Sequence, residues 1–324
     1  MDQIAKNDKH LMLFSGRAYP ELAQEVADLL DQKLVPTRAL NYANSETYVR
    51  FKESVRGCDA FVIQSHTAPV NEWIMEQLIM VDALKRASAK RITVVAPFYP
   101  YARQDKKHMG REPISARLVA DLFHVAGADR IMSVDLQASQ IQGFFDGPVD
   151  HLWGHPVLSE HVKANYDLSE IVVVSPDAGR VRLADVWTDM LHCPLAIVHK
   201  RRDPNKANTV AVHEVVGDVE GKTCLLVDDM IDTAGTICQA AEALKERGAG
   251  RVIVAATHAV LSGPAAERLN AADIDEVIVT NTLPIRTPVP INNLTVLSIA
   301  PLISKAINAV FLDGSVTSLF GGVS

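Results

Sequence analysis

The sequence has 324 residues, of which 48% are hydrophobic and 22% are charged, and it carries a formal net charge of −7. The length suits two α/β domains, and the acidic balance disfavours nucleic acid as a partner, because binding the phosphate backbone requires a basic face. No apolar stretch approaches the ~20 residues that cross a membrane. Since the four cysteines lack disulfide spacing and no signal segment opens the sequence, we expect a reduced, soluble, cytoplasmic protein with no membrane partner.

Short apolar runs alternate with amphipathic segments, a pattern typical of parallel sheets whose two faces are covered by helices. In the first half, strands are predicted at 11–14, 60–64, 91–97 and 130–134, and helices at 20–30, 70–86 and 114–125. In the second half, strands are predicted at 171–175, 195–199, 223–227, 251–257 and 276–280, and helices at 181–191, 236–247 and 264–271. A final helix at 300–311 is expected to pack back across domains or subunits.

The two halves also resemble each other in sequence. Residues 83–96 align with residues 243–256 at a constant offset, which indicates a duplicated domain. We therefore predict an α/β fold of two duplicated Rossmann-like domains with parallel sheets. The first domain is predicted over residues 1–152 and the second over residues 153–324.

A short polar segment follows the predicted strand 223–227 and leads directly into a helix. Unpaired N–H groups and the helix dipole attract an anion at such a point. Gly235 allows close approach, and the hydroxyls of Thr233 and Thr236 can donate to phosphate oxygens. Asp228 and Asp229 would repel a phosphate unless they accept hydrogen bonds from sugar hydroxyls or hold a divalent metal.

A ligand with a phosphate at one end and a diol beyond it fits this segment, and ribose 5-phosphate is the commonest such molecule. The alternative is an Asp-rich turn that only caps the helix. In the first half, the strand 60–64 is followed by neither the acids nor the Thr-x-Gly-Thr ending. The second domain is therefore predicted to bind the sugar phosphate.

Two basic clusters follow predicted strands, at residues 101–108 and 199–205. Each cluster alone is most simply a solvated charged turn. Because both come at the carboxyl ends of strands in a chain with a sugar-phosphate loop, they favour a highly charged second substrate such as a nucleoside triphosphate.

These segments complete a family resemblance that runs from about residue 11 to residue 320. The motifs that carry it are Phe14-Ser-Gly, Glu53-Ser-Val-Arg-Gly57, Tyr101-Ala-Arg-Gln-Asp105, Pro113-Ile-Ser-Ala116, Asp135-Leu, Gln140-Ile-Gln-Gly-Phe-Phe-Asp146, Ser175-Pro-Asp-Ala-Gly179, His199-Lys200 and Val227-Asp-Asp-Met-Ile-Asp-Thr-Ala-Gly-Thr236. Together they resemble the ribose-phosphate pyrophosphokinases, and some local sequence segments are similar to those of actinobacterial members. The resemblance implies phosphoribosyltransferase-type domains. It also implies transfer of the diphosphoryl group of ATP to the 1-hydroxyl of ribose 5-phosphate, with release of AMP, for nucleotide biosynthesis.

By position, the resemblance implies a role for individual residues. The catalytic pair would be Lys200 and Arg202, and Mg²⁺ would be bound near Gln137 and Asp177. ATP would be bound by Arg103 and Gln104 and, across a subunit contact, by Asn44, Ser45 and Glu46. Ribose 5-phosphate would be bound by Arg202, Asp228, Asp229, Asp232, Thr233, Ala234, Gly235 and Thr236. Members are commonly hexameric and respond to phosphate and ADP, so a homo-oligomer is expected.

The sequence departs from the family pattern at three of these positions. Gln137 stands where the family usually has His, and an amide oxygen is a weak ligand that cannot carry positive charge. Asn44 and Ser45 stand where most members have Asp and Gly, and Ser45 should restrict the loop if that position needs positive φ. A catalytically weak regulatory homologue in a mixed oligomer is therefore the alternative. A phosphoribosyltransferase, or a regulator built on that domain, is a third reading, but a single-domain transferase would not need the first half.

Overall fold

A computed structural model describes residues 9–201 and 212–320, and at residues 200, 201, 212 and 213 it describes the backbone only. The chain packs as two units. One comprises the residues up to Trp153 together with the segment from Ile299 onward, and the other comprises Gly154–Ser298. The final segment therefore packs with the first unit, whereas the sequence prediction placed it by range in the second domain.

The described part of the chain contains fourteen strands and eight α-helices. The strands are β1 (Leu11–Ser15), β2 (Thr37–Asn41), β3 (Thr47–Phe51), β4 (Asp59–Ile63), β5 (Arg91–Ala96), β6 (Arg130–Val134), β7 (Val149–Leu152), β8 (Ile171–Ser175), β9 (Leu195–Arg201), β10 (Val212–Val216), β11 (Thr223–Ile231), β12 (Arg251–Ala259), β13 (Glu276–Thr280) and β14 (Leu294–Leu297). The helices are α1 (Pro20–Leu29), α2 (Val70–Arg86), α3 (Ser115–Ala126), α4 (His155–Asn165), α5 (Val181–Leu191), α6 (Gly235–Glu246), α7 (Ala265–Ala271) and α8 (Ala300–Phe311).

The first unit is built on a parallel sheet with the strand order β1-β4-β5-β6-β7. All five residues of β4 are buried, as expected for a strand covered on both faces. The strands β2 and β3 form a separate antiparallel hairpin, and α8 packs against α1. In this sheet the strands lie side by side in the order in which they occur along the chain.

The second unit is built on a seven-stranded sheet with the order β10-β9-β8-β11-β12-β13-β14. Among the described strands of this sheet, only β10 and β9 pair in the antiparallel direction. Both faces of the sheet are covered, because alternate residues of β8 enter different cores. Val172 and Val174 pack with Ile237 of α6 on one face, and Val173 packs with Trp187 of α5 on the other. The prediction of an α/β fold with parallel sheets is confirmed.

The strand order of the second unit places its binding crevice. From β8 the chain crosses through α5 to β9 on one side, whereas from β11 it crosses through α6 to β12 on the other. Loops that leave adjacent strands in opposite directions open a crevice at the carboxyl edge of a sheet, where ligands of such folds bind. The loops that follow β8 and β11 therefore border the crevice of the second unit.

Most predicted elements agree with the structure to within one or two residues, and the helices predicted at 70–86, 181–191 and 300–311 have the observed bounds. One difference bears on function. The strand predicted to end at 227 continues to Ile231, so Asp228 and Asp229 are strand residues and not loop residues. The sequence did not predict the last four residues of this strand, because strands buried on both faces are normally apolar and Asp228 and Asp229 are not.

Within the described ranges, no helix combines the length and the apolar character needed to cross a membrane. The four cysteines are free thiols, and three of them, Cys58, Cys193 and Cys224, are buried. Burial raises the pKa of the Cys58 thiol to about 11 and that of the Cys224 thiol to about 12. Protonated thiols of this kind pack as small hydrophobic side chains.

Candidate active site

The segment between β11 and α6 forms an open backbone loop at the start of the helix. Ala234, the N-cap residue of α6, adopts a left-handed conformation with φ of 59° and makes no side-chain cap hydrogen bond to the first N–H groups of the helix. These N–H groups have no acceptor within the helix, and the side chains of Thr233 and Thr236 are exposed beside them. The loop thus offers backbone and hydroxyl donors to an anion.

The loop that follows β12 supports this segment. Leu261 donates its N–H to the carbonyl of Ile231 and Ser262 donates to the carbonyl of Asp232, each at 2.9 Å. The hydroxyl of Ser262 also donates to Asp232 Oδ1. Ser262 therefore holds Asp232 in place, and the loop after β12 helps to fix the conformation of the segment between β11 and α6.

Asp228 and Asp229 share one cation, Arg180, which lies at the start of α5. Arg180 Nε is 2.8 Å from Asp228 Oδ1, and Arg180 Nη2 is 2.8 Å from Asp229 Oδ1. The second contact is an ion pair without hydrogen-bond geometry. Both carboxylate oxygens of Asp229 are buried and accept no hydrogen bond from the described residues. Burial, together with the adjacent Asp229 carboxylate, raises the pKa of Asp228 well above its usual value, and Arg180 opposes this shift.

Buried carboxylate oxygens without donors are unfavourable unless a ligand satisfies them. Sugar hydroxyls are suitable donors, and they would lie beyond a phosphate held at the loop. Among the described residues, no cluster of three or more His, Cys, Asp or Glu side chains is placed to bind a metal ion. The carboxylate pair is therefore better suited to a diol than to a metal held by protein ligands alone.

Asp177 lies in the loop after β8. Its Oδ1 accepts hydrogen bonds from the N–H groups of Gly179 at 2.7 Å and Arg180 at 3.1 Å. The Ser175 hydroxyl donates to the carbonyl of Asp177 at 2.7 Å. One oxygen of Asp177 thus shapes the loop that delivers Arg180, and its Oδ2 accepts no hydrogen bond within the described part of the chain.

The predicted catalytic pair lies where the structure is described only in part. Lys200 falls within β9, and its backbone is opposite His213 of β10. It lies at the carboxyl edge of the second sheet, although the sequence prediction placed it in a loop after residue 199. Arg202 lies outside the described residues.

The first unit holds the predicted ATP residues Arg103 and Gln104, both exposed. Gln104 ties its loop to the start of α3, because its Oε1 accepts from the Ser115 hydroxyl at 2.6 Å and its carbonyl accepts from the N–H of Ala116 at 3.2 Å. The side-chain NH₂ of Gln104 makes no hydrogen bond within the described ranges. A donor on a fixed loop at the carboxyl edge of the sheet is suited to contact a nucleotide.

Asn44, Ser45 and Glu46 form the exposed tip of the β2–β3 hairpin. Asn44 Oδ1 accepts from the N–H of Glu46 at 3.2 Å, and Tyr42 exchanges backbone hydrogen bonds with Ser45 and Glu46. Ser45 has φ of 72°, so this position does adopt the left-handed conformation that favours glycine. The structure places the tip apart from the main sheet, and the hydrogen bonds of these three residues within the described chain stay inside the turn.

Gln137 follows the carboxyl end of β6. Its Oε1 is buried and has no hydrogen-bond donor among the described residues. The adjacent N–H of Leu136 donates to His151 Nε2 at 2.9 Å, which fixes the local backbone. An oxygen in this state is an available acceptor for a cation or a donor group, as the predicted metal role requires.

In the first copy, the position that corresponds to the start of α6 is filled by side chains of the first unit itself. At the offset that aligns residues 83–96 with 243–256, Glu76 corresponds to Thr236. The buried Glu76 carboxylate accepts the N–H of Arg17 at 2.7 Å and Gln64 Nε2 at 3.0 Å, and it forms an ion pair with the Arg17 guanidinium. A carboxylate thus stands where the second copy offers a hydroxyl, and it occupies the donors that an anion would need.

Two cations at the second-unit site, Arg180 and Arg268, were not predicted. Arg180 directly follows the Ser175-Pro-Asp-Ala-Gly179 motif, so a basic residue at the end of a motif was an available signal. Arg268 of α7 donates from Nη1 to the carbonyl of Thr233 at 2.9 Å. No local sequence pattern connects Arg268 with Thr233, because the two residues meet through the packing of α7 beside the loop.

Comparisons with known proteins agree with this picture. Residues 11–127 match a family model for the N-terminal domain of ribose phosphate pyrophosphokinase, and residues 204–321 match the phosphoribosyl synthetase-associated domain. The chain is 65% identical to a ribose-phosphate pyrophosphokinase of Streptomyces coelicolor, with 97% of each chain covered, and 62% identical to that of Corynebacterium glutamicum, with 98% of each covered.

A solved structure is similar over nearly the whole chain. The phosphoribosylpyrophosphate synthetase of Mycobacterium smegmatis is 61% identical, and its superposition has a TM-score of 0.89 and covers 94% of this chain and 100% of that one. The fold is therefore that of two phosphoribosyltransferase-type domains. With its sequence and its fold in agreement, the chain belongs to the ribose-phosphate pyrophosphokinase family.

Proposed function

We propose that this chain transfers the diphosphoryl group of ATP to the 1-hydroxyl of ribose 5-phosphate, giving 5-phosphoribosyl 1-diphosphate and AMP for nucleotide biosynthesis. The observation that carries the proposal is the start of α6, where the N-cap residue Ala234 supplies no side-chain cap, together with the buried carboxylate oxygens of Asp229, which accept no hydrogen bond from the described residues at the same crevice. A phosphate needs the first feature and a sugar diol needs the second. The alternative of a weak regulatory homologue finds no support in the relatives, which carry the name of the enzyme.

Ribose 5-phosphate is assigned to the second unit. The 5-phosphate accepts hydrogen bonds from the loop, namely Asp232, Thr233, Ala234, Gly235 and Thr236. The ribose hydroxyls donate to Asp228 and Asp229, which supplies the donors that the buried oxygens of Asp229 lack. Arg202, outside the described residues, is assigned a contact to the same substrate by family resemblance.

ATP is assigned to Arg103 and Gln104 in the first unit. Their support is the exposed position of both side chains on a loop that Ser115 and Ala116 hold in place. By family resemblance, Asn44, Ser45 and Glu46 contact ATP bound to a neighbouring subunit. The isolated and exposed hairpin tip supports this assignment, since none of its hydrogen bonds in the described chain ties it to the main sheet.

The transfer needs no covalent nucleophile on the protein. It needs in-line placement of the sugar hydroxyl and neutralisation of the charge that spreads over the phosphate oxygens and the leaving AMP. Lys200 and Arg202 are assigned this second task. The position of Lys200 near the carboxyl end of β9, which is paired with β8, supports its placement at the edge where the substrate loops lie.

By family resemblance, Mg²⁺ is assigned to Gln137 in the first unit and to Asp177 in the second, and the support for each residue comes from its own unit. The residues present fit a hard cation, because Gln137 Oε1 is a buried oxygen without a donor and Asp177 keeps one oxygen free of hydrogen bonds in the described chain. Mg²⁺ commonly takes one or two protein oxygens and completes its shell with water and phosphate oxygens, so a larger protein cluster is not needed. When bound, the ion would neutralise phosphate charge and orient the triphosphate.

A homohexamer and a cytoplasmic location are assigned by family resemblance. The four free thiols support a reducing compartment. Regulation by phosphate and ADP is assigned on the same basis as the hexamer.

The direct test is AMP formation from ATP and Mg²⁺, with ribose 5-phosphate, with unphosphorylated ribose and with no sugar. We expect AMP only with ribose 5-phosphate, and a new diphosphate ester visible by ³¹P NMR. Asp229→Asn should weaken sugar binding, whereas Asp218→Asn, which removes an exposed carboxylate of the same unit, should not. Equal rates of AMP formation with and without ribose 5-phosphate would contradict the proposal.

A further inference from the structure

Arg268 approaches the phosphate loop from outside it. The residue belongs to α7, and its Nη1 donates to the carbonyl of Thr233 at 2.9 Å. A Cβ atom built on Gly235 would lie 3.4 Å from the same nitrogen. The guanidinium therefore lies beside the first residue of α6 and touches the loop through one backbone carbonyl.

The charge of Arg268 has no acidic partner among the described residues, and its side chain is exposed. Arg180, by contrast, is bound to two carboxylates of β11. A guanidinium has five N–H donors, and within the described chain Arg268 uses one of them. With Thr233, Gly235 and Thr236, it lines a groove of about 460 Å³.

An exposed arginine without an acidic partner is common on protein surfaces, so its position must distinguish it. The Thr233 carbonyl carries partial negative charge close to the place assigned to a dianionic phosphate. A hydrogen bond from a cation turns that carbonyl to the guanidinium and offsets its repulsion of the phosphate. It also leaves the donors of the loop free for the ligand.

We infer that Arg268 is a positioning residue for the 5-phosphate of ribose 5-phosphate, acting through the Thr233 carbonyl and through its own unpaired charge. The inference rests on the proposed function and deepens it. It adds a determinant from α7 to a phosphate site otherwise built from the β11–α6 segment. Its effect should fall on the affinity for the sugar phosphate and not on the affinity for ATP.

The test compares Arg268→Gln, Arg268→Ala and Arg268→Lys with Arg247→Gln. Arg247 is an exposed arginine at the other end of α6, so its variant makes the same charge change in the same unit without touching the loop. The KM for ribose 5-phosphate and the KM for ATP are measured separately by AMP formation at low and high salt. Melting temperatures identify any variant that fails to fold.

We expect Arg268→Gln and Arg268→Ala to raise the KM for ribose 5-phosphate about tenfold, the size of one charge-assisted hydrogen bond. Arg268→Lys should recover most of this loss, and the KM for ATP should stay within about twofold of the wild-type value. The salt dependence of the KM for ribose 5-phosphate should be weaker in Arg268→Gln, because one attractive charge is missing. A residue with a purely structural role would not change that salt dependence.

Three results would overturn the inference. If the wild-type chain is active and Arg268→Gln has an unchanged KM for ribose 5-phosphate, this inference is wrong and the proposed function still holds. Parallel increases in both KM values, with a lowered melting temperature, would show a structural role. A wild-type chain that forms no AMP with ribose 5-phosphate would overturn the proposed function and this inference with it.

Discussion

Arg180 joins the loop that follows β8 to the neighbouring strand β11, since its Nε lies 2.8 Å from Asp228 Oδ1. The Arg180 side chain is 23% exposed and the Asp228 side chain 12%, so the pair is largely removed from water. Arg180 thereby places one cation against two adjacent carboxylates. It also connects the β8 loop, which carries Asp177, to the strand that leads to the sugar-phosphate loop.

Replacing Arg180 with Gln should destabilise the protein by about 2 kcal/mol, because it leaves two buried carboxylates without their cation. The pKa of Asp228 is already raised by burial and by Asp229, and the loss of Arg180 should raise it further. A raised carboxyl pKa favours the folded state at low pH, so the destabilisation should grow as pH rises. Urea unfolding from about pH 5 to about pH 8 measures this. Arg182→Gln, an exposed arginine in the first turn of α5, is the control, and a pH-independent difference would contradict the prediction.

Lys200→Ala should leave ribose 5-phosphate binding intact and reduce turnover by roughly 10²- to 10³-fold, the usual loss when one charge-stabilising donor is removed. Calorimetric titration with the sugar and steady-state AMP formation separate the two effects. Lys222→Ala, which removes a lysine that pairs with Glu170 on the surface, should change neither quantity. Near-normal turnover in Lys200→Ala would refute the catalytic assignment.

Gln137→His should raise turnover or tighten the dependence on Mg²⁺, because an imidazole can carry positive charge and hydrogen-bond phosphate oxygens where an amide cannot. The buried Oε1 of Gln137 has no donor in the described chain, so the replacement breaks no hydrogen bond of that atom. Mg²⁺ titrations of AMP formation at fixed ATP would measure the change. If both parameters stay as in the wild type, this position does not limit the enzyme.

His66 should make the first unit sensitive to mild acid. Burial lowers the pKa of His66 to about 4, and its Nδ1–H donates to the carbonyl of Phe98 at 3.2 Å. A depressed pKa means that the neutral ring stabilises the folded state above about pH 6.5, and that roughly 3 kcal/mol is lost as pH falls to about 4. His66→Asn keeps a donor for Phe98 but does not titrate, so its stability should fall less steeply over this interval. The exposed His10→Asn serves as the control, and equal slopes for His66→Asn and the wild type would contradict the prediction.

The sequence predicted the central parallel strands well because burial on both faces leaves an unbroken apolar run, as in Ile171–Ser175. It missed the hairpin strands Thr37–Asn41 and Thr47–Phe51, whose half-exposed residues carry no continuous apolar signal. It also ended β11 too early. Arg180 reaches Asp228 and Asp229 from the loop after β8 and offsets their charge inside the strand, and no local rule could show that contact.

The same distinction holds for the candidate site. The loop residues Asp232 to Thr236 were predicted because their chemistry and their order lie in one short segment. Arg268 was not, because α7 brings it to Thr233 from more than thirty residues away in the chain. The contribution of such residues depends on packing between elements, which residue types alone do not specify.

The ion pair between Glu76 and Arg17 leads us to expect one sugar-phosphate site per chain. Although the fold is duplicated, the first copy already satisfies its own donors with an internal carboxylate, so a titration with ribose 5-phosphate should saturate at one equivalent per chain. Duplication has thus produced two halves that are alike in framework and unequal in occupancy, and a second equivalent would require at least the removal of that carboxylate.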